Sequence, residues 1–86
     1  MDVRIPTPLR SYTGEQAHVE AEGATVAEVL ADLDRQFPGL RFRVVDEQGR
    51  LRQHMKVFLG DEAVRDLTST IPDGTEITLM QALSGG

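Results

Sequence analysis

Apolar and polar residues alternate in several short stretches of the chain. Residues 2 to 6, 17 to 21, 54 to 59 and 75 to 80 all show a period of two. This period places every second side chain on the same face of a sheet, so each stretch predicts a half-buried β-strand. A shorter strand is predicted at residues 63 to 65, after the turn residues Gly-Asp. The chain therefore offers four to five strands.

A single amphipathic helix is predicted between the second and third strands. Thr25 and Glu28 form a capping box, in which the Thr25 hydroxyl accepts the Glu28 amide and the Glu28 carboxylate reaches back to the amide of Thr25. Pro38-Gly39 ends the helix. Its apolar residues recur at the three- and four-residue spacing of one helical face: Val26, Val29, Leu30, Leu33 and Phe37.

The order of these elements predicts a two-layer α+β domain, with a mixed sheet of four to five strands covered on one face by a single main helix. This order fits the β-grasp arrangement of ubiquitin, in which the last strand lies beside the first, although that strand order rests on analogy. We expect residues 1–80 to form the domain and residues 81–86 to form a flexible tail. The segment 40–52 is expected to be an irregular or short helical connection that packs five apolar residues: Leu40, Phe42, Val44, Val45 and Leu51.

The composition excludes several classes of function. The 86 residues include no cysteine, which rules out disulfides, thiolate metal sites, iron–sulfur clusters and cysteine nucleophiles. A net charge of -5 argues against nucleic-acid binding, which normally needs a basic face. No apolar run is long enough to span a bilayer and no signal peptide is visible, so a cytoplasmic location without membrane association is expected.

Four arginines lie close together in the sequence, but two acidic residues separate them into pairs. We interpret this segment as a solvated loop, and contact with an acidic partner is the alternative. The four arginines are Arg41, Arg43, Arg50 and Arg52, and the intervening acids are Asp46 and Glu47.

The remaining polar residues do not suggest catalysis or a metal site. His18 and His54 are far apart in the sequence, without the spacing of metal ligands, and we read both as surface residues. Asp32 and Asp34 lie on the polar side of the helix and point apart, so they are not an acid–base pair.

The C-terminus is the segment that suggests chemistry. The chain ends Leu83-Ser84-Gly85-Gly86 after the last predicted strand. Two terminal glycines bury nothing and cost conformational entropy to order. They suit a tail that passes through a narrow channel in a partner and presents the Gly86 carboxylate without side-chain obstruction. The alternative is a frayed terminus or a cloning remnant.

An apolar stripe on the outer face of the sheet is predicted next to this tail. Alternation turns Phe58 and Met80 away from the helix, and a central last strand brings Pro6 beside them. Exposed contiguous apolar surface commonly marks a partner site, so we predict that these three residues dock a partner. The alternative is that residues 40 to 52 fold over them.

The sequence resembles the MoaD/ThiS family of ubiquitin-like sulfur carriers, and most of all its CysO-type branch. The resemblance runs through Leu9-Arg10, Thr13-Gly14, Thr25-Val26, Phe37-Pro38-Gly39-Leu40, Val57-Phe58, Glu62 to Arg65, Pro72-Asp73-Gly74 and Ala82-Leu83-Ser84-Gly85-Gly86. The order of these segments with the terminal diglycine is the specific feature. Relatives often carry proline at the position of Gln81, which suggests a less stiff tail in this chain.

The resemblance implies a reaction at Gly86. An activating enzyme of the ThiF/MoeB type uses ATP and magnesium to adenylate the carboxylate, and a sulfur donor displaces AMP to leave a thiocarboxylate. A sulfur-accepting biosynthetic enzyme then takes the sulfur. In the CysO-type branch the product is cysteine, and a metalloprotease releases it from the carrier. The carrier itself binds no cofactor and acts as a co-substrate rather than an enzyme.

Two other functions remain open at this point. The chain could modify proteins by forming isopeptide bonds through Gly86, because the activation chemistry is the same. It could also be a non-covalent β-grasp binding module in which the diglycine is incidental. The sulfur-containing product, whether cysteine, molybdopterin, thiamin or another metabolite, is not readable from the sequence.

Overall fold

Five short strands form one mixed sheet in the computed structural model, which describes residues 1–82. The strands are β1 (Asp2–Arg4), β2 (His18–Glu20), β3 (Met55–Leu59), β4 (Glu62–Val64) and β5 (Ile77–Gln81). Their order across the sheet is β2-β1-β5-β3-β4. β1 and β5 are parallel, and the other neighbouring pairs are antiparallel. The last strand therefore lies between the first and third, as the β-grasp prediction required.

The main helix, α1, spans Val26–Gln36 and begins with the predicted cap. The Glu28 amide donates to the Thr25 hydroxyl oxygen at 3.2 Å. The return contact differs from the prediction, because the Glu28 carboxylate accepts from the amide of Ala24, at 3.3 Å, rather than from that of Thr25. The Glu28 side chain thus satisfies a backbone donor one residue further from the helix. This arrangement still fixes where the first turn of α1 starts.

The core lies between α1 and the inner face of the sheet. Four predicted helix residues are buried, and so are the inward residues of β1, β3 and β5. Burial of an aliphatic side chain contributes about 1.5–3 kcal/mol before entropy is subtracted, so α1 is a main contributor to stability. These core residues are Val26, Val29, Leu30 and Leu33 of α1, with Val3, Met55, Val57, Ile77 and Leu79 of the strands.

The segment between α1 and β3 contains a second, short helix, α2 (Leu40–Val44), which packs against α1 and a 3₁₀ helix at Thr7–Thr13. Leu40 and Val44 are buried, but the prediction that Phe42 packs inward is wrong, because it is 56% exposed. Residues four apart share one helical face, and the residue midway between them points away. Phe42 is that midway residue.

The loop that follows α2 also contributes residues to the core. A bridge between Val45 and Leu51 closes the loop that follows α2. Both of these residues are buried, as the sequence predicted. Among residues 1–82, no helix is long and apolar enough to cross a membrane.

Candidate functional site

The end of β5 is where the chain leaves the sheet toward its C-terminus, and we call Gln81 and Ala82 the tail root. Gln81 still faces Met55 of β3, and the Ala82 amide donates to the His54 carbonyl oxygen at 2.7 Å. The boundary predicted between residues 80 and 81 therefore falls inside β5. The hydrogen bond from Ala82 extends the contact between β5 and β3 past Met55, where Gln53 and His54 form the turn that precedes β3.

The four residues to which the sequence assigns the chemistry follow the tail root. Leu83, Ser84, Gly85 and Gly86 lie outside the described residues. The structure shows the point from which they continue, which is the tail root at the end of β5. Four residues span at most about 14 Å when fully extended.

A groove of about 540 Å³ lies against β5 on the side of β1. Pro6 and Met80 both line it, and Met80 is 45% exposed. Phe58 faces Thr78 across the β3–β5 ladder, which makes it a diagonal neighbour of Met80 on the outer face. Phe58 is half-buried. The structure therefore brings the three predicted docking residues to one region beside the tail root.

A second cavity, of about 300 Å³, lies on the other side of the tail root, and we call it the arginine pocket. It is lined by Phe42, Arg43, Arg52 and His54. The Arg52 guanidinium carbon lies 4.7 Å from the centre of the Phe42 ring, and its Nε donates to the Phe42 carbonyl oxygen at 2.8 Å. A cation over an aromatic face is attracted by the ring quadrupole, so Arg52 is held in place.

The predicted arginine cluster is thus divided by the fold. Arg43 and Arg52 converge in the arginine pocket, whereas the Arg50 guanidinium donates to the Gln48 side chain at 3.0 Å. Asp46 organises the loop between them, because its carboxylate accepts from the amides of Gln48 and Arg50 at 2.9 Å each. The hydrogen bond from the Arg50 amide is the main reason that the pKa of Asp46 lies below its usual value.

Three polar residues that the sequence did not connect meet on the outer face of the sheet. Asp2, His18 and Glu76 place one nitrogen and two carboxylate oxygens within 4.8 Å of one another. His18 Nδ1 lies 2.9 Å from the Asp2 carboxylate, and this hydrogen bond is the main cause of a lowered pKa of Asp2. The hydrogen bond accounts for the pair, and we assign no metal site. In the sequence, only the alternation of β1 and β2, which turns Asp2 and His18 outward, indicates that these residues could meet.

Asp32 and Asp34, the two carboxylates on the polar side of α1, have separate hydrogen-bond partners. Asp32 accepts from the Arg35 guanidinium at 2.6 Å. Asp34 accepts from the amides of Gly39 and Arg41, at 3.1 and 3.3 Å, and so ties α1 to α2. Neither arrangement resembles an acid–base pair, in which two carboxyl groups face a common substrate.

Comparisons with known proteins agree with this geometry. The model of the ThiS family matches residues 3–86. The sulfur carrier protein CysO of Mycobacterium tuberculosis is 37% identical over 89 residues, which cover 98% of this chain and 96% of the relative. The CysO protein of Mycobacterium bovis matches to the same extent.

Solved structures give the same result. A chain of the BexX/CysO complex from Amycolatopsis orientalis superimposes with a TM-score of 0.91 at 39% identity, covering 99% of this chain and 98% of that one. SAMP1 from Haloferax volcanii, a small archaeal modifier protein, gives a TM-score of 0.78 at 31% identity, covering 100% and 98%. The chain therefore belongs to the ThiS family of ubiquitin-like sulfur carriers, and within it to the CysO-like proteins.

Proposed function

We propose that this protein carries sulfur as a thiocarboxylate on Gly86 and delivers it to a biosynthetic enzyme. The observation that carries the proposal is the family match, which extends to residue 86 and so includes the terminal diglycine. The fold supports it, because β5 ends at Gln81, a few residues before the terminal diglycine.

The proposed reaction activates a carboxylate that is otherwise a poor electrophile. A carboxylate oxygen of Gly86 attacks the α-phosphorus of ATP, and pyrophosphate leaves with magnesium. A reduced sulfur donor then attacks the carbonyl carbon of the acyl-adenylate and expels AMP, so that one oxygen is replaced by sulfur. An activating enzyme of the ThiF/MoeB type supplies the site for both steps, and this chain is its co-substrate.

The tail root and the docking residues define how this chain meets its enzymes. The apolar surface of Pro6, Phe58 and Met80 contacts the activating enzyme while the tail enters its active site. A relative is known in complex with a partner protein, BexX. The CysO-like sequence favours cysteine as the product, formed on the carrier terminus and released by a metalloprotease.

Conjugation to proteins through Gly86 is the second candidate function. It is favoured by the likeness to small archaeal modifier proteins, at 31% identity. The same acyl-adenylate serves both functions, because a lysine amine and a sulfur nucleophile attack the same carbonyl carbon. What differs is the nucleophile that the activating enzyme or its partner admits.

Deletion of Gly86 tests the proposal. The full chain, incubated with the activating enzyme, ATP, magnesium and a sulfide source, should gain the mass difference between sulfur and oxygen. The truncated chain should gain nothing, because its terminus no longer reaches the adenylation site, while its thermal melt stays unchanged. An equal sulfur yield from the truncated chain would refute the assignment of Gly86. A larger covalent adduct on a lysine would favour the modifier function.

A further inference from the structure

The arginine pocket lies immediately beside the tail root. The His54 carbonyl oxygen accepts the Ala82 amide, and the same residue lines the pocket with Arg43 and Arg52. A partner that contacts the tail root is therefore close to this pocket. The hydrogen bond from Ala82 to His54 holds the tail root and the pocket next to each other.

Within residues 1–82, neither arginine of the pocket forms an ion pair with a carboxylate. The ion pairs of residues 1–82 join Met1 to Glu20, His18 to Asp2 and Arg35 to Asp32. Hence neither Arg43 nor Arg52 has a carboxylate oxygen of these residues within 4.0 Å. Asp46 is near enough to feel the charge of Arg52, but its carboxylate is occupied by backbone amides.

The charge of the pocket contrasts with that of the whole protein. The chain carries a net charge of -5, yet basic residues flank both sides of the tail root. Arg4 and Arg10 line the groove beside Met80, and Lys56 faces Met80 from β3. At the other end of β5, the cavity before its first residue is lined by Asp2, Asp73 and Glu76, together with Met1 and its N-terminal ammonium. The described residues thus place basic side chains around the tail root and mostly acidic ones at the opposite end of β5.

We infer that the arginine pocket docks an acidic segment of the activating enzyme, beside the channel that receives the tail. Opposite charges across an interface speed encounter and fix orientation, and a positive tail end on an acidic protein would turn that end toward the enzyme. Arginine stacked on an aromatic ring is preorganised for a carboxylate, since its planar fork binds both oxygens. The inference rests on the proposed function, because it assigns the partner from the reaction at Gly86.

Binding to the activating enzyme, followed at low and physiological salt, tests the inference. The variants Arg43→Glu and Arg52→Glu should each weaken the affinity roughly tenfold, mainly through slower association, and the loss should shrink as salt rises. Phe42→Ala should also weaken binding, because it releases the Arg52 guanidinium. Phe42 is exposed, so this change should leave the thermal melt almost unchanged.

Arg50→Glu is the matched control. It changes the net charge equally and lies in the same loop beside Asp46, but its side chain is outside the arginine pocket. It should bind as the unaltered chain does. Equal affinities for all variants would overturn the inference, and so would an equal loss for Arg50→Glu, since the cause would then be net charge. Normal binding by the unaltered chain without sulfur gain would count against the proposed function and not against the pocket.

Discussion

At the residue scale, one glycine decides how closely β2 can lead into α1. A Cβ placed on Gly23 would lie 2.7 Å from the Val29 amide nitrogen and 2.8 Å from the Glu28 Cβ. Real Cβ atoms do not approach other atoms so closely. The nearest neighbouring atom, the Val29 nitrogen, belongs to the backbone of α1 and cannot rotate away as a side chain could. The backbone passes over the first turn of α1 at a point where only hydrogen fits.

We expect Gly23→Ala to lower the free energy of unfolding by about 1–3 kcal/mol, as overpacking does in a well-filled interior. Denaturation by urea measures the change. Gly49→Asn is the control, because a Cβ there meets nothing within 4 Å and asparagine tolerates its φ of 81°. Equal stability of the two variants would mean that the chain before α1 can shift away without cost.

At the scale of elements, β3 separates the two faces of the sheet. Met55 and Val57 are fully buried under the helices, whereas Lys56 is exposed and Phe58 half-buried on the outer face. The alternation of this strand thus places its odd-numbered residues toward the core and its even-numbered residues on the outer face of the sheet. The proposed docking role of Phe58 depends on this phase.

Phe58→Glu should weaken binding to the activating enzyme while lowering the free energy of unfolding by about 1 kcal/mol or less, the span of strand propensities. Leu33→Ala on the inner face of α1 should instead cost roughly 2–5 kcal/mol, because Leu33 is fully buried. Titration calorimetry measures the affinity of both variants for the activating enzyme, and chemical denaturation of the same samples measures their free energies of unfolding. Unfolding of the Phe58→Glu variant would show that Phe58 supports the core and is not a docking residue.

At the scale of the whole molecule, several aspartates couple stability to pH. The pKa of each lies below the usual value, through hydrogen bonds accepted by the ionised carboxylate. The largest contributions come from the His18 side chain at Asp2, from Arg35 at Asp32, from the Arg50 amide at Asp46 and from the Thr68 hydroxyl at Asp66. A carboxyl whose pKa is lowered by folding stabilises the native state above its unfolded pKa.

We therefore expect the free energy of unfolding to be highest near neutrality and to fall as pH drops from about 5 through and below 3.8, the ordinary pKa of an aspartate. Asp46→Asn should be less stable than the unaltered chain near pH 7, and the difference should shrink as the pH falls through the lowered pKa of Asp46. Urea denaturation at several pH values measures how the free energy of unfolding of each protein depends on pH. Parallel curves would show that Asp46 does not contribute to the pH dependence.

Interactions between residues close in sequence were sufficient to predict the main helix and the alternation of the strands. The cap at Thr25, the apolar face of α1 and the alternation of β3 and β5 depend on neighbouring residues, and all were confirmed. The terminal diglycine and the resemblance along the chain indicated the family, which the comparisons confirmed. The same local rules also placed Phe58 and Met80 on the outer face of the sheet.

Tertiary structure alone decided which distant residues meet. The arginine pocket joins α2 to the residues before β3. Asp2 and His18 come from β1 and β2, and Glu76 from the residue before β5. Phe42 turns outward because α2 has a single buried face, which a five-residue helix does not reveal by periodicity. Gln81 stays in the sheet because β3 continues to pair with it. Hydrophobic pattern fixes the inside and outside of an element, but only the packing of elements brings charges on separate segments to one surface.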